Sequence, residues 1–254
     1  MYKKIIFSVF GIIVMFLCFL VLHYDLCSAK EVLNFISFVT GNRVTLKEIG
    51  KSLDGYPYVS FAGGCNFAGK EIYAVRAAKG HYTQAGDFGQ ILFYERKTSV
   101  FRKLDISLEY DIKKYGELRD PNLSVSRDGK RLYVTCFTSF DKQRTTPHHS
   151  IIFILDNSLK QINAIVVPDS LFWGNTLETP NGYLLHADYK DWMVNIYKSN
   201  RIISDQSNMD LKMLKVATLM FKDKRIWAEP TIGYYQDKLV CIARVQGAHP
   251  SSYS

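Results

Sequence analysis

A carboxylate and a guanidinium stand one hairpin apart in the last part of the sequence. Glu229 precedes an apolar run from Pro230 to Tyr235, and Arg244 ends the run that returns from Lys238. If both runs are strands, the turn carries the second back to the start of the first, and Glu229 and Arg244 become neighbours. Such a couple has two chemical uses. A guanidinium holds a planar carboxylate through two parallel hydrogen bonds, and a carboxylate beside a phenol takes the proton that the phenol's ordinary pKa of about 10 otherwise retains. An ion pair capping a hairpin is the plainer alternative. Arg119-Asp120, within Glu117-Leu118-Arg119-Asp120-Pro121-Asn122, is a further charged couple, and by its residues it reads as a strand-entry turn fixed by Asp-Pro. Pro147-His148-His149-Ser150 offers two imidazoles, but adjacent strand residues point to opposite sides and no third ligand follows at metal spacing, so no metal is expected. G-x-S-x-G, P-loop and dinucleotide fingerprints are absent, which sets aside serine-hydrolase and nucleotide chemistry and leaves no cofactor implied.

The elements that must position these groups are short strands. Runs rich in Val, Ile, Tyr and Phe, bounded by Gly, Asp, Asn or Pro, predict strands over Glu71–Ala77, Gln90–Glu95, Asn122–Ser126, Leu132–Phe137, Ile151–Leu155, Ile162–Val167, Tyr183–Ala187, Val194–Tyr197 and Lys238–Ala243. Asp128-Gly129, Asn181-Gly182 and Gln236-Asp237 supply hairpin turns, so neighbouring strands are antiparallel. Only Val32–Phe38 and Glu109–Tyr115 read as helical, too few for a parallel α/β sheet. The hairpins recur at roughly forty to fifty residues, the interval of propeller blades, although a β-sandwich gives similar hairpins. Asn122–Val134 and Pro230–Ile242 both read as apolar strand, polar turn, apolar strand.

The stretch Ala228–Arg244 resembles the sialidase (neuraminidase) superfamily, whose pattern is a Glu, a hairpin, and an Arg of the carboxylate-binding cluster. The resemblance implies an all-β fold: a six-bladed β-propeller of antiparallel blades, incomplete in this chain, after an N-terminal hydrophobic helix. It implies that Arg244 binds the ligand carboxylate and that Glu229 polarises a tyrosine nucleophile. Glu71–Arg96 looks like the family's first blade, in which Arg76 binds ligand, Asp87 is the acid/base and His81 lies beside them; a turn-forming Asp87 is the alternative. Glu117–Val125 is similar to the opening of a second blade, with Arg119 and Asp120 as ligand contacts, and Arg-Asp-Pro also occurs in five-bladed arabinanase-like glycosidases. The family's first-strand arginine has no counterpart in Ser60–Phe67, and Tyr253 is the one tyrosine after Arg244. The expected coverage is about three or four of six blades. The implied activity is that of an exo-glycosidase acting on sialic acid or a related anionic glycan. A non-catalytic propeller that binds glycan or protein at the cell surface, or a purely structural one, is the competing class.

Composition fits an exported globular protein of 254 residues, 47% hydrophobic and 22% charged. Lys3 and Lys4 precede an uncharged apolar run from Ile5 to Leu22, the pattern of an export signal. Cys27-Ser28-Ala29 offers cleavage after Ala29, while the run is also long enough to stay as an anchor, so residues 1–29 are read as signal peptide or membrane anchor and 30–254 as the propeller domain. The expected location is periplasmic, cell-surface or secreted, with the membrane touched only through the N-terminal segment. Of five cysteines, Cys65, Cys136 and Cys241 lie beyond the leader without zinc spacing and read as small buried hydrophobes. The net charge of +8 is spread in short clusters, which argues against nucleic acid and is compatible with acidic glycans as partners.

Overall fold

In the computed structural model, the residues described are 56, 58–80, 89–104, 116–139, 149–168, 174–190, 193–203, 210–220 and 226–246, with the backbone alone at 60–62, 139, 226–229 and 244–246. All of them belong to the compact unit Ser52–Ser254. The leader, the 29/30 boundary and both stretches read as helical lie outside the described residues.

The described residues form antiparallel sheets laid down one after another along the chain. Sheet I contains β1 (Tyr58–Phe67), β2 (Lys70–Ala78), β3 (Gln90–Glu95) and β4 (Val100–Lys103), in that order. Sheet II contains β5 (Glu117–Val125), β6 (Leu132–Ser139), β7 (Ser150–Leu155) and β8 (Gln161–Val167). Sheet III contains β9 (Thr176–Glu178), β10 (Tyr183–Lys190), β11 (Met193–Ile202) and β12 (Met213–Met220). Sheet IV is the pair β13 (Ile226–Tyr235) and β14 (Lys238–Gln246). The first strands of successive sheets adjoin, β1 with β5, β5 with β9 and β9 with β13, so the sheets fan out like blades around their inner strands. The chain is thus all-β and propeller-like, and the described sheets do not close a ring.

Turn chemistry follows the sequence. Gly129 and Gly182 take the left-handed conformation at φ 72° and 79°, and Gln236 and Asp237 both do so at 47° and 60°, as a two-residue hairpin turn requires. The Ser126 and Asp128 side chains bond each other and the Lys130 and Arg131 amides, closing the second hairpin.

The core lies between the sheets. Phe67, Ile72, Ile91 and Phe93 of sheet I meet Leu132, Val134, Ile151 and Phe153 of sheet II. Ile152, Ile154 and Tyr133, one residue out of phase, face Leu184, Tyr197 and Met213 of sheet III. Sheet II is therefore covered on both sides, which is why β7 is apolar from Ile151 to Leu155 and does not alternate. Leu185, Ala187, Val194 and Ile196 pack on Ile232 of sheet IV. Gly63 is needed where β1 crosses β5, since a Cβ there would stand 2.6 Å from the Pro121 carbonyl oxygen. Cys65, Cys136 and Cys241 are free thiols, and burial pushes the Cys65 thiol up to about 11 and raises the other two.

Candidate functional site

Because the strands alternate in direction, every β2–β3, β4–β5, β6–β7 and β8–β9 connection falls at one end of the sheets, and the tight hairpin turns β1–β2, β5–β6, β9–β10 and β13–β14 at the other. The inner strands of sheets I, II and IV carry the same irregularity near the loop-bearing end. Three steps along β1 from Ser60 to Gly63 match two along β2 from Arg76 to Ala74. Arg119 to Asn122 opposes Phe137 to Thr135, and Ala228 to Thr231 opposes Arg244 to Ile242. Each is a one-residue β-bulge, the device by which a strand absorbs an extra residue and re-aims its side chains. Asp120-Pro121 and Glu229-Pro230 occupy the same place in their sheets, the prolines sitting where the bulge interrupts the ladder. Asp120 is left-handed at φ 48°, a conformation that Asp tolerates better than most residues. The strand thus runs through Arg119-Asp120-Pro121 where a strand-entry turn is the alternative reading of the sequence.

The expected site residues distribute as follows. Arg244 pairs in register with Ala228, so Glu229 and Arg244 are brought to the same end of one hairpin by their backbones. Arg119 is 8% exposed, its guanidinium carbon 6.0 Å from the Phe137 ring centroid, and Asp120 is half-buried beside it. Arg76 stands at the equivalent place on β2, opposite Ser60. It is fully buried, donating through Nε to Glu117 Oε1 at 2.5 Å and through Nη1 to the Gly80 carbonyl at 3.0 Å, with the Tyr58 ring 5.8 Å from its guanidinium carbon. His81 and Asp87 belong to the β2–β3 connection and lie outside the described residues, as does His148. Among the described residues no group of three His, Cys, Asp or Glu side chains is arranged to hold a metal.

Sequence reasoning gave no role to Glu117, His186 or Asp188, all of which are buried. Glu117 takes the Gly89 amide on the oxygen that takes Arg76, while its Oε2 is buried with no hydrogen-bond partner among the described residues. His186 and Asp188 share one face of β10 with Leu184 and look toward sheet II. His186 Nδ1 lies 3.1 Å from the Thr176 hydroxyl, which accepts a 2.7 Å bond from Thr135 of sheet II. Burial drives the imidazole from 6.5 to about 3, so it is neutral at ordinary pH. The available signal was two polar residues at strand spacing inside the apolar Leu184–Tyr189 run.

No protein-family profile matches the chain, and no curated protein matches it. Among solved structures it is similar to the crystal structure of TolB from Acinetobacter baumannii, at 13% identity and a TM-score of 0.40, over 75% of this chain and 39% of that one.

Proposed function

We propose that the chain is an exported, sialidase-like propeller that acts on sialic acid or a related anionic glycan. What supports the reading is the repeated bulge, which puts Asp120 of one sheet and Glu229 of another at equivalent positions at the loop-bearing end, with Arg119 preceding the first and Arg244 opposite the residue that precedes the second. Loops on a rigid scaffold are where binding residues concentrate. In this reading Arg244 and Arg119 hold the ligand carboxylate, Asp87 donates a proton to the leaving oxygen, and Glu229 takes the proton of a tyrosine that attacks the anomeric carbon. A tyrosine suits an acidic sugar, because a carboxylate nucleophile would meet the like charge of the substrate. The basic leader segment, Lys3-Lys4 followed by Ile5–Leu22, supports export.

A second reading, a glycan-binding propeller without hydrolysis, is favoured by Arg76. Its Nε and Nη1 are engaged by Glu117 and Gly80 in a fully buried setting, so of the arginines expected to meet the carboxylate, this one is enclosed. The test is release of the fluorescent alcohol from a sialic acid aryl glycoside by the chain without residues 1–29, beside Arg244→Ala. Turnover lost on substitution supports the enzyme. Sialyllactose binding without turnover, weakened by Arg244→Ala, supports the binding module, and neither binding nor turnover refutes both.

A further inference from the structure

The β2–β3 connection departs at Gly80 and returns at Gly89, and a single buried ion pair touches both stems. Arg76 donates to the Gly80 carbonyl at 3.0 Å and to Glu117 Oε1 at 2.5 Å, and the same oxygen accepts the Gly89 N–H at 3.0 Å. A Cβ at position 89 would overlap that carboxylate oxygen, so glycine lets the backbone approach without displacing the carboxylate. Glu117 begins β5, so the tie also crosses from sheet I to sheet II. Both side chains are at most 1% exposed.

A buried ion pair adds little net stability over apolar residues of the same shape, because desolvating the two charges offsets their attraction. What the Arg76–Glu117 pair supplies is direction, since its hydrogen bonds run at fixed angles from a rigid guanidinium fork and a carboxylate. We infer that Arg76 and Glu117 are positioning residues: a latch that pins Gly80 and Gly89, the two stems of the β2–β3 connection, so that Arg76 serves the ligand face by holding backbone and not by contact. The functional half of this inference rests on the glycan-binding face proposed above; the latch itself does not.

The test uses the full chain in two forms beside the native one. Glu117→Gln keeps the shape and removes the charge. The double variant Arg76→Met with Glu117→Leu removes both charges together and so folds without an uncompensated buried ion. Hydrogen exchange of the Gly89 amide reads the latch directly, with β7 amides such as Ile152 as the internal reference, and sialyllactose titration reads the ligand face. The expected result for the double variant is Gly89 exchange at least tenfold faster with β7 unchanged, and sialyllactose affinity reduced at least tenfold. Glu117→Gln is expected to fall between. Gly89 exchange that does not change, or that rises equally in β7, overturns the latch. Faster Gly89 exchange with undiminished sialyllactose affinity overturns the positioning role. If native protein binds no sialyllactose, the glycan reading falls and with it the positioning role, while the exchange arm still decides the latch.

Discussion

Acidification is expected to weaken the fold through His186, and the size of the effect follows from its burial. The imidazole is enclosed between sheets II and III and its pKa falls from 6.5 to about 3, chiefly because burial disfavours the charged form. Between those values the unfolded chain binds a proton at this residue and the folded chain does not. Stability therefore rises with pH across that window and is lost as pH falls below 6.5, at a limiting slope of about 1.4 kcal/mol per pH unit. From pH 7 to pH 5 the loss from this one group is about 2 kcal/mol, equivalent to roughly 4–8 °C in Tm for a domain of this size. His186→Asn keeps an acceptor near the Nδ1 position for the Thr176 hydroxyl and cannot titrate in this range. It is less stable than native at pH 7 because it leaves a small void, yet it lacks the imidazole's share of the acid loss. Urea unfolding of both proteins at pH 7, 6 and 5 isolates the residue, since the carboxylates that also titrate are common to the two. The stability gap between native and variant should narrow by about 2 kcal/mol between pH 7 and pH 5. A constant gap, or a His186 Hε1 resonance titrating near 6.5 in the folded protein, would refute the reasoning.

Three further outcomes test the packing. Gly63→Ala is expected to destabilise the domain by about 1–3 kcal/mol, because the added methyl meets the Pro121 carbonyl where two inner strands cross; denaturant midpoints measure it. Asn175, buried just before β9, donates to the Ile232 carbonyl at 2.9 Å and accepts the Ile232 amide at 2.7 Å, so Asn175→Ala leaves two backbone groups unmatched and costs roughly 2–4 kcal/mol, with exchange of the Ile232 amide rising first. Ile242 and Leu219 are apolar side chains left 69% and 40% exposed on β14 and β12; Ile242→Lys with Leu219→Lys should leave stability within about 0.5 kcal/mol and reduce concentration-dependent association in sedimentation.

Much of the strand pattern was legible because it is local. Gln90–Glu95 is a strand from end to end as read, and every other expected strand but one lies wholly within an observed one; Asn122–Ser126 overruns β5 by its last residue, Ser126. The strands that escaped notice lack the local signal. β9 is three residues long, β4 is Val-Phe-Arg-Lys, and β12 is exposed at every position but its first, so none shows the burial period of a half-covered strand. β1 carries two glycines and a bulge because it runs against the backbone of β5, a tertiary cause. β5 begins five residues before its expected start, at Glu117, because a bulge accommodates the Asp-Pro that reads as a turn. The nearness of Glu229 to Arg244 followed from a hairpin of known register. The enclosure of Arg76 was not accessible in the same way, since its partner Glu117 is 41 residues along the chain and on another sheet.

The polar interior is not spread evenly, and its placement bears on where ligand meets the fold. Between sheets II and III the hairpin-turn end is filled by Tyr133, Ile154, Leu184 and Met213, an apolar packing that needs no hydrogen bonds beyond the Tyr133 hydroxyl's bond to Glu178. Toward the loop-bearing end the same interface turns to Thr135, Thr176, His186, Asp188 and Asn195, all buried. Between sheets I and II the change is parallel, from Phe67, Ile72 and Leu132 to Arg76, Glu117 and Arg119. Burying polar and charged groups lowers stability unless each is matched, so stability alone would favour apolar residues along the full length of each interface. The buried polar groups instead gather at the end where the loops are, in two adjacent interfaces. That gradient is expected of a scaffold whose loop-bearing end has its geometry fixed by directional bonds, and it is why disruption of Arg76–Glu117 should alter the loops at an intact core.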